Sequence, residues 1–327
     1  MVTAVPAIPE AVVTVVTHNS AADIEHCIRS LDAHFPPLGE RRALVHVVDN
    51  ASRDDTRAIV ARLAEECPWL VLHEPGENLG FGPGNNVVLR NLKARAHVLL
   101  NADAWLVADS LTPALDYLAA HPKTGVIGLP LVFPDGSPQS HAFVSSAWHR
   151  WLLLLMGLRG LAKRLVGFAP TRKLMQLMPF ARNFVANHGM PGLDLADPDA
   201  LAASATGEDR PADWVAGAAM VLSPEFVAAS GGFDPKIFLY GEDEDLCIQA
   251  HRLGFAVTTL RTVPIVHKLG WGGDGGFCPI VAQMKYDSLK YFIAKNVNGG
   301  VNRAMMRALL PLYVYGRHIG HFLRKAG

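Results

Sequence analysis

Short β-branched runs alternate with amphipathic segments over the first third of the chain, and three of those runs end in a polar cluster. Residues 11–17, AVVTVVT, read as a buried strand closed by Thr17-His18-Asn19. Residues 21–34 follow with Ile24, Cys27, Ile28 and Leu31 at helical spacing. The run 44–48, LVHVV, ends in Asp49-Asn50, and a helix is expected from about 54 to 66. A strand over 69–73, a helix from about 84 to 95 and a strand over 97–100, closed by Asn101-Ala102-Asp103, complete the series. Strand and helix in alternation predict an α/β fold with a mostly parallel sheet, because parallel neighbours need crossover connections. Ligands of such sheets bind beyond the carboxyl ends of the strands. The three polar clusters are therefore expected to line one crevice.

The alternation loosens after residue 124. Residues 125–133, GVIGLPLVF, and 214–222, WVAGAAMVL, read as further strands, and Pro134-Asp135-Gly136 as a turn. A helix over 224–230 is stopped by Gly231-Gly232, and Glu242 to Asp245 open another that reaches about Leu253. From about 279 onward the pattern predicts two helices with basic residues near their end.

Lysine plus arginine equals aspartate plus glutamate at 30 each, which excludes the basic excess typical of a nucleic-acid partner. The four cysteines are dispersed without a C-x-x-C pair, which argues against a zinc knuckle or a disulfide framework. No signal peptide and no membrane span are visible, so the expected location is cytoplasmic, on the inner face of the plasma membrane.

Several residues carry chemistry. Asp103 at a strand end suits a divalent cation that also grips a diphosphate, because hard oxygen ligands suit Mg2+ or Mn2+. The same residue also suits a turn or helix cap. Glu242, Asp243, Glu244 and Asp245 complement a helix N-terminus, but four in a row exceed what capping requires. Crowded carboxylates raise one another's pKa, which suits a general base. The segment 76–86, GENLGFGPGNN, lets backbone approach a ligand, yet it is neither a Walker loop nor a dinucleotide fingerprint. His267 ends the strand-like run 263–266 and is a candidate metal ligand or phosphate contact.

Taken in order, these motifs resemble family 2 glycosyltransferases, in particular a rhamnosyltransferase-like bacterial branch. The resemblance rests on Val15-Val16-Thr17-His18-Asn19, Val47-Val48-Asp49-Asn50-Ala51-Ser52 with Asp54, and Asn78-Leu79-Gly80-Phe81-Gly82 with Gly84-Asn85-Asn86. It continues through Leu100-Asn101-Ala102-Asp103, Asp213-Trp214-Val215-Ala216-Gly217-Ala218, Gly231-Gly232-Phe233-Asp234, Tyr240-Gly241-Glu242-Asp243-Glu244-Asp245-Leu246 and His267. It implies a GT-A fold, a Rossmann-like sheet flanked by helices, and an inverting, metal-dependent hexosyltransferase (EC 2.4). The donor would be a nucleoside-diphosphate sugar, with dTDP-rhamnose as the expectation from the branch. The acceptor would be a glycan or lipid-linked hydroxyl in cell-surface polysaccharide synthesis.

By position, the resemblance makes Asp243 the base and places the cation, Mg2+ or Mn2+, on Asp103 and His267. Asp49 would meet the base or ribose, and Asn78, Asn85 and Asn86 would shape the donor pocket. Thr17, His18, Asn19, Asn50, Gly80, Phe81, Asn101, Trp214 and Gly217 complete the implied donor set. Glu242 and Asp245 would support the acceptor or the helix start. Many relatives carry Asp-x-Asp where this chain has Asn101-Ala102-Asp103, so the cation has one anionic ligand fewer. A nucleotide-sugar-binding protein without turnover is the alternative that this departure favours.

The resemblance divides the chain into a glycosyltransferase domain over 1–278 and a helical extension over 279–327. Residues 148–192 fall outside it. Seven Lys or Arg and no acidic residue lie between Arg150 and Arg182, interleaved with leucines and aromatics. Such a segment predicts a basic amphipathic helical insertion that contacts an anionic membrane surface, a mobile lid, or an insertion packed on the core or on a second subunit.

Overall fold

The computed structural model describes residues 8–40, 42–146, 148–149, 151, 192–206, 208–269 and 278–325. The amphipathic insertion expected over 148–192 lies, apart from residues 148, 149, 151 and 192, outside them. The first strands are β1 (Ala11–Thr17), β2 (Ala43–Asp49), β3 (Leu70–His73), β4 (His97–Asn101) and β5 (Ala104–Trp105). Then come β6 (Thr124–Gly128), β7 (Leu131–Val132), β8 (Pro138–Gln139), β9 (Ala142–Phe143) and β10 (Arg210–Pro211). The last are β11 (Trp214–Val215), β12 (Ala219–Leu222), β13 (Ala256–Thr259) and β14 (Ile265–His267). The helices are α1 (Ile24–His34), α2 (Pro36–Gly39), α3 (Thr56–Glu66), α4 (Phe81–Leu89) and α5 (Thr112–Ala120). They continue with α6 (Pro198–Ser204), α7 (Pro224–Ser230), α8 (Glu242–Arg252), α9 (Pro279–Asn296) and α10 (Gly300–Lys325).

The central sheet runs β10-β13-β6-β12-β4-β1-β2-β3. β3, β2, β1 and β4 are parallel neighbours, while β12 enters antiparallel between β4 and β6. β13 is parallel to β6, so the mostly parallel α/β sheet expected from the sequence is present. Alternate residues of β1 face opposite layers. Ala11, Val13 and Val15 join the core under α1 and α3, and Val12 packs with Val48 and Val88 under α4. A second sheet, β5-β14-β7-β8, and a ribbon of β11 with β9 stand beside the carboxyl end of β4.

Two expected strands are split for physical reasons. The run 125–133 breaks into β6 and β7 around Pro130, which has no N–H for a ladder bond. The run 214–222 breaks into β11 and β12 around Gly217, whose N–H leaves the ladder for a carboxylate. The helix expected from about 84 starts earlier, at Phe81, so half of the glycine-rich segment is helical. Pro83 sits in its first turn, where its missing N–H would have had no intrahelical acceptor. That helix ends at Leu89 instead of near 95, and the Asn91 side chain donates to the Val87 carbonyl there at 2.8 Å.

The two helices expected at the end of the chain are α9 and α10, and they pack as an antiparallel pair. Leu289, Phe292 and Ile293 of α9 share a core with Met306, Leu310 and Val314 of α10, together with Ile237 and Trp151. Neither described helix is long and apolar enough to cross a membrane, nor is any other among the described residues.

Candidate active site

The crevice is built at the carboxyl ends of β1, β2 and β4. Thr17 donates its hydroxyl to Asp49 Oδ1 at 3.0 Å, and the Ser52 N–H donates to Oδ2 at 3.1 Å. The Asn50 N–H donates to the Thr17 carbonyl at 2.8 Å, while His18 Nδ1 lies 2.7 Å from the Asn50 carbonyl. β1 and β2 both run into left-handed backbone at a residue with a side chain, Asn19 (φ 55°) and Ala51 (φ 55°). Such conformations cost energy and persist where surrounding contacts hold them. Here Asn19 supplies two of those contacts, its N–H to Ser52 Oγ at 2.9 Å and its Oδ1 to the Arg53 N–H at 2.8 Å.

One wall comes from the turn before α4. Asn50 donates its amide to the Gly80 carbonyl at 2.9 Å, and Asn78 Oδ1 accepts the Gly80 N–H at 3.0 Å. Gly80 has φ +86°, and a Cβ there would sit 2.3 Å from the Phe238 carbonyl oxygen. Glycine is required twice over at this position. Phe81 meets Phe233 edge to face, and its ring lies 3.2 Å from where a Gly217 Cβ would stand. Asn85 donates to the Phe81 carbonyl, leaving its buried Oδ1 without a protein partner. Trp214 stacks on Phe143 and donates its indole N–H to the Val144 carbonyl at 3.1 Å.

The opposite wall brings Asn101, Asp103 and His267 together. β14 pairs with β5, which sets His267 opposite Ala104 and next to Asp103. His267 Nε2 lies 3.3 Å from Asp103 Oδ1 and 3.3 Å from Asn101 Nδ2. On its other edge, His267 Nδ1 lies 2.7 Å from Gln139 Oε1, and Gln139 Nε2 donates to the His267 carbonyl at 3.4 Å. That carbonyl can only accept, so the glutamine amide has one sensible orientation, and its oxygen must take a proton from Nδ1. The neutral ring then carries its proton on Nδ1 and offers a lone pair from Nε2.

Two ligands of one hard cation at about 2.1 Å and a right angle stand about 3 Å apart. The spacing of Asp103 and His267 fits such an ion. Among the described residues no group of three or more His, Cys, Asp or Glu gathers at one point. Water and substrate oxygens would have to complete the shell.

The four carboxylates at the start of α8 have different surroundings. Left-handed Tyr240 (φ 70°) and Gly241 (φ 93°) swing the chain into the helix. Glu244 takes both the N–H and the hydroxyl of Ser146 at 2.6 Å. Asp245 is fully buried and bound by Lys295 at 2.8 Å, Asn296 at 2.6 Å and Gln249 at 2.8 Å. Glu242 is buried, with Oε2 unpartnered. Burial, then the charge of Asp243, pushes its carboxyl up to about 8. Asp243 alone of the four is partly exposed. Its Oδ2 accepts the Gly217 N–H at 3.3 Å and its Oδ1 the Glu244 N–H at 2.8 Å. Burial raises its pKa, and those two N–H groups hold the rise back.

Asp243 and the Asn101–Asp103 turn are neighbours through the sheet. The Asn101 N–H donates to the Ala218 carbonyl at 2.9 Å, and Gly217 is the residue before Ala218.

Two residues expected at the substrate site, Asn86 toward the donor and Asp245 toward the acceptor or the helix start, have their polar atoms engaged elsewhere. Asn86 pairs both ends of its amide with the Phe233 backbone, at 2.9 Å each. Asp245 turns to α9. Gln139, Ser146, Lys295 and Asn296 were not expected from the sequence. Gln139 follows the 134–136 turn, and only its pairing opposite Leu131 puts it beside His267.

The family described as Glycosyl transferase family 2 matches residues 12–173. The chain is 25% identical over 269 residues to an N-acetylglucosaminyl-diphospho-decaprenol L-rhamnosyltransferase of Mycobacterium tuberculosis (strain ATCC 25618 / H37Rv), covering 78% of this chain and 75% of that protein. Among solved structures it is similar to the mannosyltransferase PcManGT from Pyrobaculum calidifontis in complex with GDP-Man and Mn2+. The TM-score is 0.55 at 20% identity, over 94% of this chain and 70% of that one. It is also similar to S. aureus TarS 1-349 in complex with UDP-GlcNAc, with a TM-score of 0.51 at 16% identity over 94% and 73%. At these identities the structural likeness establishes the fold, which is GT-A.

Proposed function

We propose that the chain, whose residues 12–173 match glycosyl transferase family 2, is an inverting enzyme of that family. It would move a sugar from a nucleoside diphosphate to a hydroxyl of a glycan or lipid-linked acceptor in one displacement. One observation carries this reading. Of four consecutive carboxylates, Asp243 alone keeps access to the crevice, one inter-strand step from Asp103 and His267.

Asp243 removes the acceptor proton as the hydroxyl attacks the anomeric carbon. Its raised pKa makes it a stronger base than a free aspartate, and the fixed N–H donors of Gly217 and Glu244 keep it oriented. No covalent sugar–protein bond forms. Asp103 and His267 Nε2 would hold the Mg2+ or Mn2+, which, when bound, neutralises charge on the leaving diphosphate. Thr17 and Asp49 present a fixed hydroxyl–carboxylate pair at the nucleoside end, and Asn50, Asn78, Gly80 and Phe81 shape the wall beside it. Mn2+ in PcManGT and the decaprenol-linked relative support the cation and a lipid-linked acceptor. L-Rhamnose is the donor sugar the relative suggests, and the cytoplasmic face of a membrane is where such an acceptor would be met. Residues 279–327 act with the 1–278 domain, because Lys295 and Asn296 fix the helix that bears the base.

Isothermal titration with a panel of nucleotide sugars, with and without Mn2+, tests the donor and the cation together. One donor bound tightly only with the ion is expected. Asp243→Asn should keep that binding and lose transfer. Equal turnover by the variant would remove Asp243 from this role.

A further inference from the structure

The turn that starts α8 carries a conformation its sequence does not favour. Tyr240 has φ 70° and Gly241 φ 93°. The left-handed region suits glycine and is costly for a residue with a bulky side chain. If the turn needed only its backbone path, glycine at 240 would supply it without strain. A tyrosine there has to be held by its surroundings, and residues held in this way cluster where the strain serves function.

One face of α9 does the holding. Lys285, Ser288, Leu289 and Phe292 recur at helical spacing, and each meets one of residues 239–241. The Leu239 N–H donates to Ser288 Oγ at 3.3 Å. A Cβ on Gly241 would stand 3.4 Å from Leu289 and 3.6 Å from Phe292, so the backbone itself lies on those side chains. Lys285 Nζ stands 4.5 Å from the centre of the Tyr240 ring and 5.2 Å from that of Tyr313 on α10, within cation–π reach of both. Tyr313 in turn stacks on Trp151 at 4.2 Å. The Tyr240 ring is thus the outer layer of a column of tyrosine, lysine, tyrosine and tryptophan. The segment just before it is anchored separately, because the Phe81 N–H donates to the Phe238 carbonyl at 3.1 Å.

Glu242 and Asp243 are the first two residues of α8, so the direction in which this turn launches the helix decides where the Asp243 carboxylate stands. We propose that Tyr240 is a positioning residue for Asp243. Its ring, clamped by Lys285 against α9 and α10, holds the left-handed turn that keeps the Asp243 carboxylate on the Gly217 N–H and in the crevice. The proposal rests on Asp243 as the base only for its effect on rate.

Tyr240→Gly in the full chain tests it, because glycine follows the same backbone path without strain and lacks only the clamp. The variant's kcat should fall about ten- to a hundredfold, with donor Kd changed by less than about twofold and an unchanged circular dichroism spectrum. Tyr240→Phe keeps the ring and should keep kcat within about twofold of the parent. Lys285→Met should lower kcat, and Lys285→Arg should restore it. Amide exchange at Gly217 reads the same placement without turnover. It should quicken about tenfold in Tyr240→Gly and stay at the parent rate in Tyr240→Phe. Parent protection of Gly217 in Tyr240→Gly overturns the proposal whatever the rate. Equal losses in the glycine and phenylalanine variants overturn it too, and so does a fall in kcat matched by falls in donor affinity and denaturation midpoint, which is a structural role alone. If Asp243→Asn turned over normally, the base reading would fail, and exchange at Gly217 would still decide this one.

Discussion

Gln139 grips His267 at two points, its Oε1 2.7 Å from the ring Nδ1 and its Nε2 3.4 Å from the backbone carbonyl. The grip fixes which ring nitrogen is bare, so Gln139 would act as a positioning residue for the cation pair proposed above. Partners of this kind are typically worth about 10–100-fold in metal affinity. Gln139→Leu should weaken Mn2+ binding within that range, measured by titration calorimetry without donor. In the ion-free protein, 15N spectra recorded where the His267 ring is neutral should show a single Nδ1–H tautomer, and a mixture in the variant. Unchanged spectra and affinity would leave Gln139 as mere packing.

The proton on Glu242 predicts a pH dependence of stability. The folded protein holds it up to about 8, whereas the unfolded chain releases it in the usual carboxylate range. Between those limits the native state binds more protons, so stability falls as pH rises, by at most ~1.4 kcal/mol per unit from this group. Urea melts from about pH 5.5 to 8.5 should show the fall. Glu242→Gln, neutral throughout, should flatten it.

Lys295 bridges Asp234 at 2.7 Å and Asp245 at 2.8 Å. Lys295→Met would leave the buried Asp245 carboxylate to its amide partners, Asn296 and Gln249. Removing one partner of a buried ion pair costs about 3–5 kcal/mol. A loss of about 3 kcal/mol in chemical denaturation is expected, together with lower turnover, because the start of α8 is no longer tied to α9.

Gly80→Ala should be among the most damaging small substitutions in the chain. The methyl would meet the Phe238 oxygen at 2.3 Å in a left-handed backbone. A destabilisation of about 2 kcal/mol or more and a weakened donor Kd are expected. Gly76→Ala, with a similar φ but open space, serves as the control and should cost less.

The sheet, its switch from strand to polar turn and the crevice at Thr17, Asp49 and Asn101 were all legible from periodicity, because buried strands and amphipathic helices write their period into the chain. The acidic run at 242–245 was legible as a candidate site. Which carboxylate faces the crevice was not, because Ser146, Lys295 and Asn296 make the distinction, and nothing local marks those residues as its neighbours. Asn86 shows the same limit. Its motif position suggests a ligand contact, yet the backbone of Phe233, distant in sequence, occupies its amide. The early start of α4 was hidden by glycines, which depress helical propensity although a first turn tolerates both them and Pro83.

β12 lies between β4 and β6 although it follows both in the chain. During synthesis, therefore, β4 emerges with one edge unpaired and keeps it bare until Ala219–Leu222 leaves the ribosome. A bare edge is a template for another chain. The nascent first half is thus the species most exposed to aggregation, and a truncation before β12 should yield inclusion bodies rather than a smaller soluble domain.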